Sequence, residues 1–445
     1  MSPSAAGTRA PMINGFDPID LSGLSPEVRS QFARRAKVFG PGYRLFYREP
    51  LEFVRASGTH LFDADGNDFL DVYNNVPSVG HCHPHVVEAV HRQMQTISTN
   101  TRYIQDLVID YSERLTATFP AELSRITLTC TGSEANDLAL RLATFVTGNE
   151  GIIVTENAYH GLTAAVAAMS PSLGPGTPLG KHVRVIEAPD RQHADGGDIA
   201  SAMRARVATA IADLQRHGYG LAAFVADSIF SSDGVFTDPA GFLQPVIEEV
   251  HRAGGLYIAD EVQPGFCRTG EAWWGFQRHH IVPDIVTIGK PMGNGVPIAA
   301  AVFRPEITEE FDRTVRYFNT FGGNTASIAA AQAVLDVIRD EQLLSRAHTV
   351  GTRMRDTIAT IASDQPAIGE IRGVGMFIGV DIVRSDGSPD PDKAADLVND
   401  LRRRRILISA SGMHGHVLKI RPPLVFDDTD ADRFLTEFAA AAQSL

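Results

Sequence analysis

Lys290 stands at the end of an apolar run, Ile285–Gly289, and is followed by Pro291-Met292-Gly293-Asn294-Gly295. A lysine between two apolar stretches and flanked by glycines is poorly explained as a solvated surface charge. Burial near other cations lowers an amine's pKa, and a partly neutral lysine forms Schiff bases and moves protons. Upstream, the run Gly255–Ala259 ends in Asp260-Glu261-Val262-Gln263. A carboxylate at a strand end binds a metal, acts as a base, or pairs with a protonated heterocyclic nitrogen; a lone Asp there is as readily a cap or turn residue. Farther upstream, Arg125–Cys130 runs into Thr131-Gly132-Ser133-Glu134-Ala135-Asn136. If this stretch opens a helix, its free N–H groups, glycine and Ser hydroxyl make a phosphate cradle, although taken alone it is equally an ordinary cap. Ligands of open α/β sheets gather outside the carboxyl ends of the strands. Phosphate cradle, strand-end Asp and strand-end Lys, in that order, describe a site for pyridoxal 5'-phosphate.

These positions require strands and helices that alternate around them. Between Gly80 and Asn324, β-rich runs occur at Arg125–Cys130, Gly151–Thr155, Ala222–Ala226, Gly255–Ala259, Ile285–Gly289 and Ile298–Phe303. Stretches such as Ala135–Phe145 and Phe242–Arg252 between them have helical spacing. The alternation predicts an α/β fold, with a largely parallel sheet covered by helices on both faces. Leu51–Val72 alternates and carries Asp-Gly and Gly-Asn turn signals, which predicts short antiparallel strands. After a helix near Ala326–Arg339, strands are expected over Ile371–Val383, Ile406–Ser409 and Val417–Ile420, mixed with helices over Asp392–Arg403 and Thr429–Ala442. The expected organisation is a large cofactor-binding domain (residues 80–330), a smaller α+β C-terminal domain (331–445), and an N-terminal segment (1–79) packing with the small domain. Met1–Pro26, rich in Pro, Ser, Gly and Ala, reads as a mobile lead-in.

Composition narrows the function classes. A chain of 445 residues suits more than one core. A formal net charge of -13 repels a phosphate backbone and argues against nucleic acid. No apolar run approaches the roughly 18 residues of a membrane span. The N-terminus lacks a basic start followed by an apolar block, and the scattered Cys82, Cys130 and Cys267 suit a reducing compartment. The expectation is a cytoplasmic protein. His81-Cys82-His83-Pro84-His85 looks like a metal cluster, but adjacent residues in a Pro-containing loop rarely converge on one ion, so no metal is expected. Gly176 to Lys181 has the wrong glycine spacing for a P-loop and is followed by His182 in place of Ser/Thr, so it reads as a loop. Arg402–Arg405 reads as a solvated helix end.

Gly132-Ser133-Glu134-Ala135-Asn136, Tyr159-His160-Gly161, Asp260-Glu261-Val262-Gln263 and Thr320-Phe321-Gly322-Gly323-Asn324 resemble the motifs of the class III aminotransferases, in that family's order. The resemblance runs from about Leu51 to the C-terminus and implies the pyridoxal-phosphate-dependent transferase fold of type I, with a seven-stranded sheet. It further implies that Lys290 carries the cofactor covalently and later moves protons, and that Asp260 pairs with the pyridinium nitrogen. Tyr159 would stack on one ring face, Val262 would pack on the other, and Gln263 would reach the phenolic oxygen. Gly132 and Ser133 would hold the phosphate together with Thr320 of a neighbouring subunit, which makes a homodimer the minimal unit and leaves a tetramer open.

Departures from the common family pattern point to the reaction. Many relatives place a carboxylate-binding arginine three residues before a Pro-Pro pair; here Lys419 stands at that spacing before Pro422-Pro423, and Arg421 follows two residues on. A lysine is a point charge that suits phosphate as well as carboxylate. The family's usual Glu-Pro after the third strand is replaced by Asp227-Ser228, followed by Ser231-Ser232. With Asn74-Asn75, Asn100-Thr101-Arg102-Tyr103 and Tyr317-Phe318-Asn319-Thr320, these features resemble the ethanolamine-phosphate phospho-lyase branch. That resemblance implies a small phosphorylated amine as substrate, with Asn75, Arg102, Lys419 and Arg421 as candidates to bind it. The alternatives are an ω-amino acid or amine:keto acid aminotransferase and a non-catalytic homologue that binds the cofactor.

Overall fold

β1 (Arg55–Ser57), β2 (His60–Phe62) and β3 (Asp68–Asp71) form an antiparallel meander ahead of the main sheet. The computed structural model describes residues 12–17, 21, 24–40, 42–191 and 198–445; much of the lead-in expected over Met1–Pro26 lies outside them. The main sheet contains β4 (Arg125–Thr129), β5 (Gly151–Thr155), β6 (Val183–Ile186), β7 (Leu221–Ala226), β8 (Leu256–Asp260), β9 (Ile285–Ile288) and β10 (Ala299–Phe303). Their order is β4-β10-β9-β8-β7-β5-β6. β5 to β9 run parallel, and β10 is antiparallel to both β4 and β9. β5, β7, β9 and β10 are buried along their whole length, as strands covered on both faces must be. The largely parallel sheet expected from the alternation is present, with the seven strands that the resemblance implies.

β11 (Ile368–Val374), β12 (Phe377–Ile382), β13 (Ile406–Leu407), β14 (Ser409–Ser411) and β15 (Val417–Ile420) follow. Four of them make an antiparallel sheet in the order β11-β12-β15-β14, while β13 pairs in parallel with β3. The strand expected over Ile371–Val383 is instead a hairpin. Gly375 turns it at φ +55°, where a Cβ would lie 2.4 Å from the Thr269 carbonyl carbon, so only glycine fits. The β13–β3 pair couples the C-terminal part to the N-terminal segment, reinforced by Thr59 Oγ1 donating to Asp430 at 2.7 Å and Arg433 bonding Asp68 at 2.8 Å.

One local expectation changes. Arg402–Arg405 is not merely a solvated helix end. Arg402 bonds Glu49 at 2.8 Å, Arg404 bonds Asp400 at 2.8 Å, and Arg405 donates to Asn67 at 2.6 Å, so the run ties its helix to the N-terminal segment. The histidine cluster diverges toward three separate carboxylates: His81 to Asp71, His83 to Glu341 and His85 to Asp336, at 2.8, 3.2 and 3.1 Å. Among the described residues no helix is long and apolar enough to cross a membrane.

Candidate active site

The carboxyl ends of β4, β8 and β9 meet at one cavity of about 170 Å³. Gly132, Ser133, Tyr159, Asp260, Val262, Gln263 and Lys290 line it, joined by Asp227, His160 and Gly161. Seven expected cofactor-binding residues, distant in sequence, are therefore brought together.

The helix Gly132–Thr147 starts immediately after β4 because Thr131 caps it. The Thr131 hydroxyl accepts from the Glu134 amide at 3.2 Å, and the Glu134 carboxylate accepts from the amides of Thr131 and Cys130 at 3.2 and 2.7 Å. This reciprocal cap leaves the first-turn amides of Gly132 and Ser133 available, at the positive end of the helix dipole. Close approach is built in. A Cβ on Gly132 would sit 3.0 Å from Val262 Cγ2, and one on Gly161, at φ +139°, would sit 2.4 Å from Ser133 Oγ.

Asp260 ends β8 and is held from several sides. Its Oδ2 accepts from His160 Nδ1 at 2.7 Å and from Asn136 Nδ2 at 3.0 Å, while Oδ1 accepts from the Val262 amide at 3.1 Å. Asn136 cannot flip without cost, since the Thr287 hydroxyl donates to its Oδ1 at 2.8 Å and its Nδ2 also donates to the His160 carbonyl at 2.8 Å. Buried His160 Nε2 has no partner among the described residues.

Lys290 follows β9 after a single residue, Gly289. Burial pulls its amine down to about 8, helped by Arg421 and opposed by Asp260 and Asp227. Asp227, just after β7, is pushed up by burial, while hydrogen bonds from Ser231 and the Ile229 amide pull the other way. Lys419 is buried on β15, and Arg421 lies just beyond that strand's end. Both cations approach the Phe377 ring, at 5.6 and 5.9 Å from its centroid. Arg421 Nε donates to the Tyr73 carbonyl at 2.9 Å, and Nη1 donates to Gln263 Oε1. Lys419 Nζ has only Ser411 Oγ within reach among the described residues, at 3.5 Å. Burial, then Arg421 and Lys290, push the Lys419 amine well below its ordinary value.

None of the four expected substrate-binding residues, Asn75, Arg102, Lys419 and Arg421, lines this cavity itself. Asn75 is buried with Nδ2 unpartnered, on a segment whose Ser78 donates to the Pro291 carbonyl at 3.0 Å, yet it does not line the cavity. Arg102 is exposed and lies over the Phe318 ring at 3.7 Å, so it joins the loop that carries Thr320 rather than Lys419 and Arg421. Thr320 is exposed and outside this cavity. Sequence reading passed over Asp227, Asn136, Thr287 and Ser231 as site residues. A threonine within the apolar strand Ile285–Ile288 was the available signal for Thr287.

The description "Aminotransferase class-III" matches residues 47–442. An alanine–glyoxylate aminotransferase 2-like protein of Drosophila melanogaster is 40% identical over 421 residues, covering 91% of this chain and 85% of that protein. Ethanolamine-phosphate phospho-lyase homolog 1 of Caenorhabditis elegans is 35% identical over 433 residues, covering 91% and 92%. Among solved structures, a phospholyase from Arthrobacter in complex with phosphoethanolamine superposes with a TM-score of 0.90 at 43% identity, covering 93% of this chain and 100% of that one.

Proposed function

The chain belongs to the class III aminotransferase family, and on that footing we propose that it is a pyridoxal-phosphate-dependent lyase that eliminates phosphate from O-phosphoethanolamine. The family implies the cofactor, and the cavity suits it. A Cβ at Gly132 or Gly161 would fill the cradle, and the Asp260 carboxylate is fixed at a strand end beside it. Gly132 and Ser133 would hold the phosphate, Asp260 the ring nitrogen, Tyr159 and Val262 the two ring faces, Gln263 the phenolic oxygen and Lys290 the aldehyde carbon. A partner subunit in a homodimer would add Thr320. When bound, pyridoxal phosphate supplies an electrophilic carbon for an amine and a protonated ring that accepts an electron pair.

The observation that carries the reaction is the pair Lys419 and Arg421. Both are buried and act electrostatically with Lys290, although neither lines the cavity itself, and neither is hydrogen-bonded to a carboxylate among the described residues. One arginine fork matches a carboxylate, whereas two cations without a carboxylate contact suit the higher charge of a phosphate monoester. Lys290, with its amine near 8, takes the proton from the amine-bearing carbon. Lys419 and Arg421 hold the phosphate as its C–O bond breaks at the adjacent carbon and the electron pair leaves with oxygen. With one water, O-phosphoethanolamine gives acetaldehyde, ammonia and inorganic phosphate. There is no net oxidation, so no keto acid is required.

The second reading, transamination between an amine or ω-amino acid and a keto acid, is favoured by the name of the Drosophila relative. Incubating the purified holoenzyme with O-phosphoethanolamine and no keto acid separates the two. A lyase releases phosphate and ammonia continuously, while a transaminase releases no phosphate and turns over only when a keto acid is added.

A further inference from the structure

Ser231 lies on the loop after β7, buried, and its hydroxyl acts as acceptor and donor at once. Gln263 Nε2 donates to Ser231 Oγ at 2.6 Å, and Ser231 Oγ donates to Asp227 Oδ2. Arg421 Nη1 in turn donates to Gln263 Oε1. The result is a chain with one direction, from Arg421 through Gln263 and Ser231 to Asp227, in which every donor meets an acceptor. The backbone of the same loop, at the Ser231 and Ser232 carbonyls, meets the partner of the second cation. Lys419 Nζ reaches Ser411 Oγ at 3.5 Å, and Ser411 Oγ donates to the Ser231 carbonyl at 3.2 Å.

We propose that Ser231 is a positioning residue that orients Arg421 for a dianionic substrate group, linking it to the buried acid only through neutral side chains. The proposal rests on the phospho-lyase reading in taking that group to be the substrate phosphate. A direct bidentate arginine–carboxylate pair would fix the guanidinium equally well, but it would place a full negative charge against it and compete with the incoming anion. An amide and a hydroxyl in series transmit direction by hydrogen bonding and leave the positive charge uncancelled. Asp227 keeps its own partners, with the amides of Ile229 and Ser231 donating to it at 2.9 and 3.1 Å.

Ser231→Ala removes one oxygen and breaks the chain at its centre. In the holoenzyme, titration calorimetry with inorganic phosphate as the probe should show a Kd raised roughly five- to tenfold, the scale of one buried hydrogen bond. The KM for O-phosphoethanolamine should rise by about the same factor, with kcat within about twofold and the absorbance of the bound cofactor unchanged. Ser231→Thr keeps the hydroxyl and should return Kd and KM to within about twofold of wild type. If Ser231→Ala does not fold, Ser231→Cys, a weak donor of similar size, takes its place with the same expectations. An unchanged Kd, a loss in kcat without a change in KM, or a threonine variant as poor as the alanine one would each overturn the role. Phosphate binding that Ser231→Ala weakens, in a wild-type enzyme that releases no phosphate from O-phosphoethanolamine, would keep the relay and remove the reaction assignment. Phosphate release with a neutral Ser231→Ala would do the reverse.

Discussion

Replacing Lys419 with methionine should make the protein more stable and its recognition of the substrate phosphate worse. Lys419 is only 6% exposed, its one hydrogen-bond partner among the described residues is Ser411 Oγ at 3.5 Å, and Arg421 and Lys290 act on it against the opposing charges of Asp227 and Asp233. Burial and these cations depress the amine's pKa in the folded protein, whereas in the unfolded chain it keeps the ordinary lysine value. Holding a cation in this buried place without a carboxylate contact costs stability, and binding of the substrate phosphate offsets that cost. Methionine has a similar length and no charge to desolvate, so a stabilisation of about 2–4 kcal/mol is expected, read as a raised thermal midpoint. The sign with pH follows from proton counting. The folded pKa is depressed, so between it and the unfolded value the unfolded chain binds more protons, and wild-type stability rises with pH through that window. The advantage of Lys419→Met should therefore be smaller at pH 9 than at pH 7. Thermal midpoints of both proteins at the two pH values, together with the KM for O-phosphoethanolamine, test the reasoning. A variant that is less stable at pH 7, or whose advantage does not depend on pH, would mean that the native amine is charged and paired. An unchanged KM would place the phosphate elsewhere.

Lys290→Ala should abolish turnover together with the absorbance of covalently held cofactor, because attachment and proton removal both need this amine; near wild-type phosphate release would end the assignment. Asp260→Asn should lower kcat by about two to four orders of magnitude with little change in thermal midpoint, and an activity within threefold of wild type would contradict its role. Arg421→Gln should raise the KM for O-phosphoethanolamine at least tenfold, the scale of roughly 1.5–3 kcal/mol for a lost charge-assisted contact. If the proposed homodimer forms, Arg102→Ala should raise the KM for O-phosphoethanolamine, and mixed dimers with Lys290→Ala should regain a site of normal KM; an unchanged KM would keep Arg102 out of the substrate site.

Legibility in the sequence tracks how local each signal is. Lys290, Asp260 and the Gly132-Ser133 cradle were readable because each ends an apolar run and opens a turn or helix, so type and position lie within one short window. The sheet was readable for the same reason, since β7 and β9 are unbroken apolar runs buried on both faces. β6 carries an arginine and is half-exposed, which hid an edge strand. The helix Leu343–Ala362 contains Gly351, a poor helix former that is present because a Cβ there would lie 2.1 Å from the Gly375 carbonyl oxygen. That constraint comes from the hairpin turn it packs against and has no trace in the helix's own pattern. The arrangement of the cations was hidden in a similar way. The spacing to the Pro-Pro pair shows an arginine displaced by two residues, with Lys419 in its usual place. In space, Arg421 is restrained after all, by Gln263 on the loop after β8 and Ser231 on the loop after β7. A salt bridge between two charged residues leaves a signature in residue types, because both ends must be charged. A relay through an amide and a hydroxyl leaves none, because Gln and Ser are common in loops for many reasons. On the proposed reading, the cation that meets the substrate is thus oriented by neutral residues between the strand ends, apart from every cofactor motif.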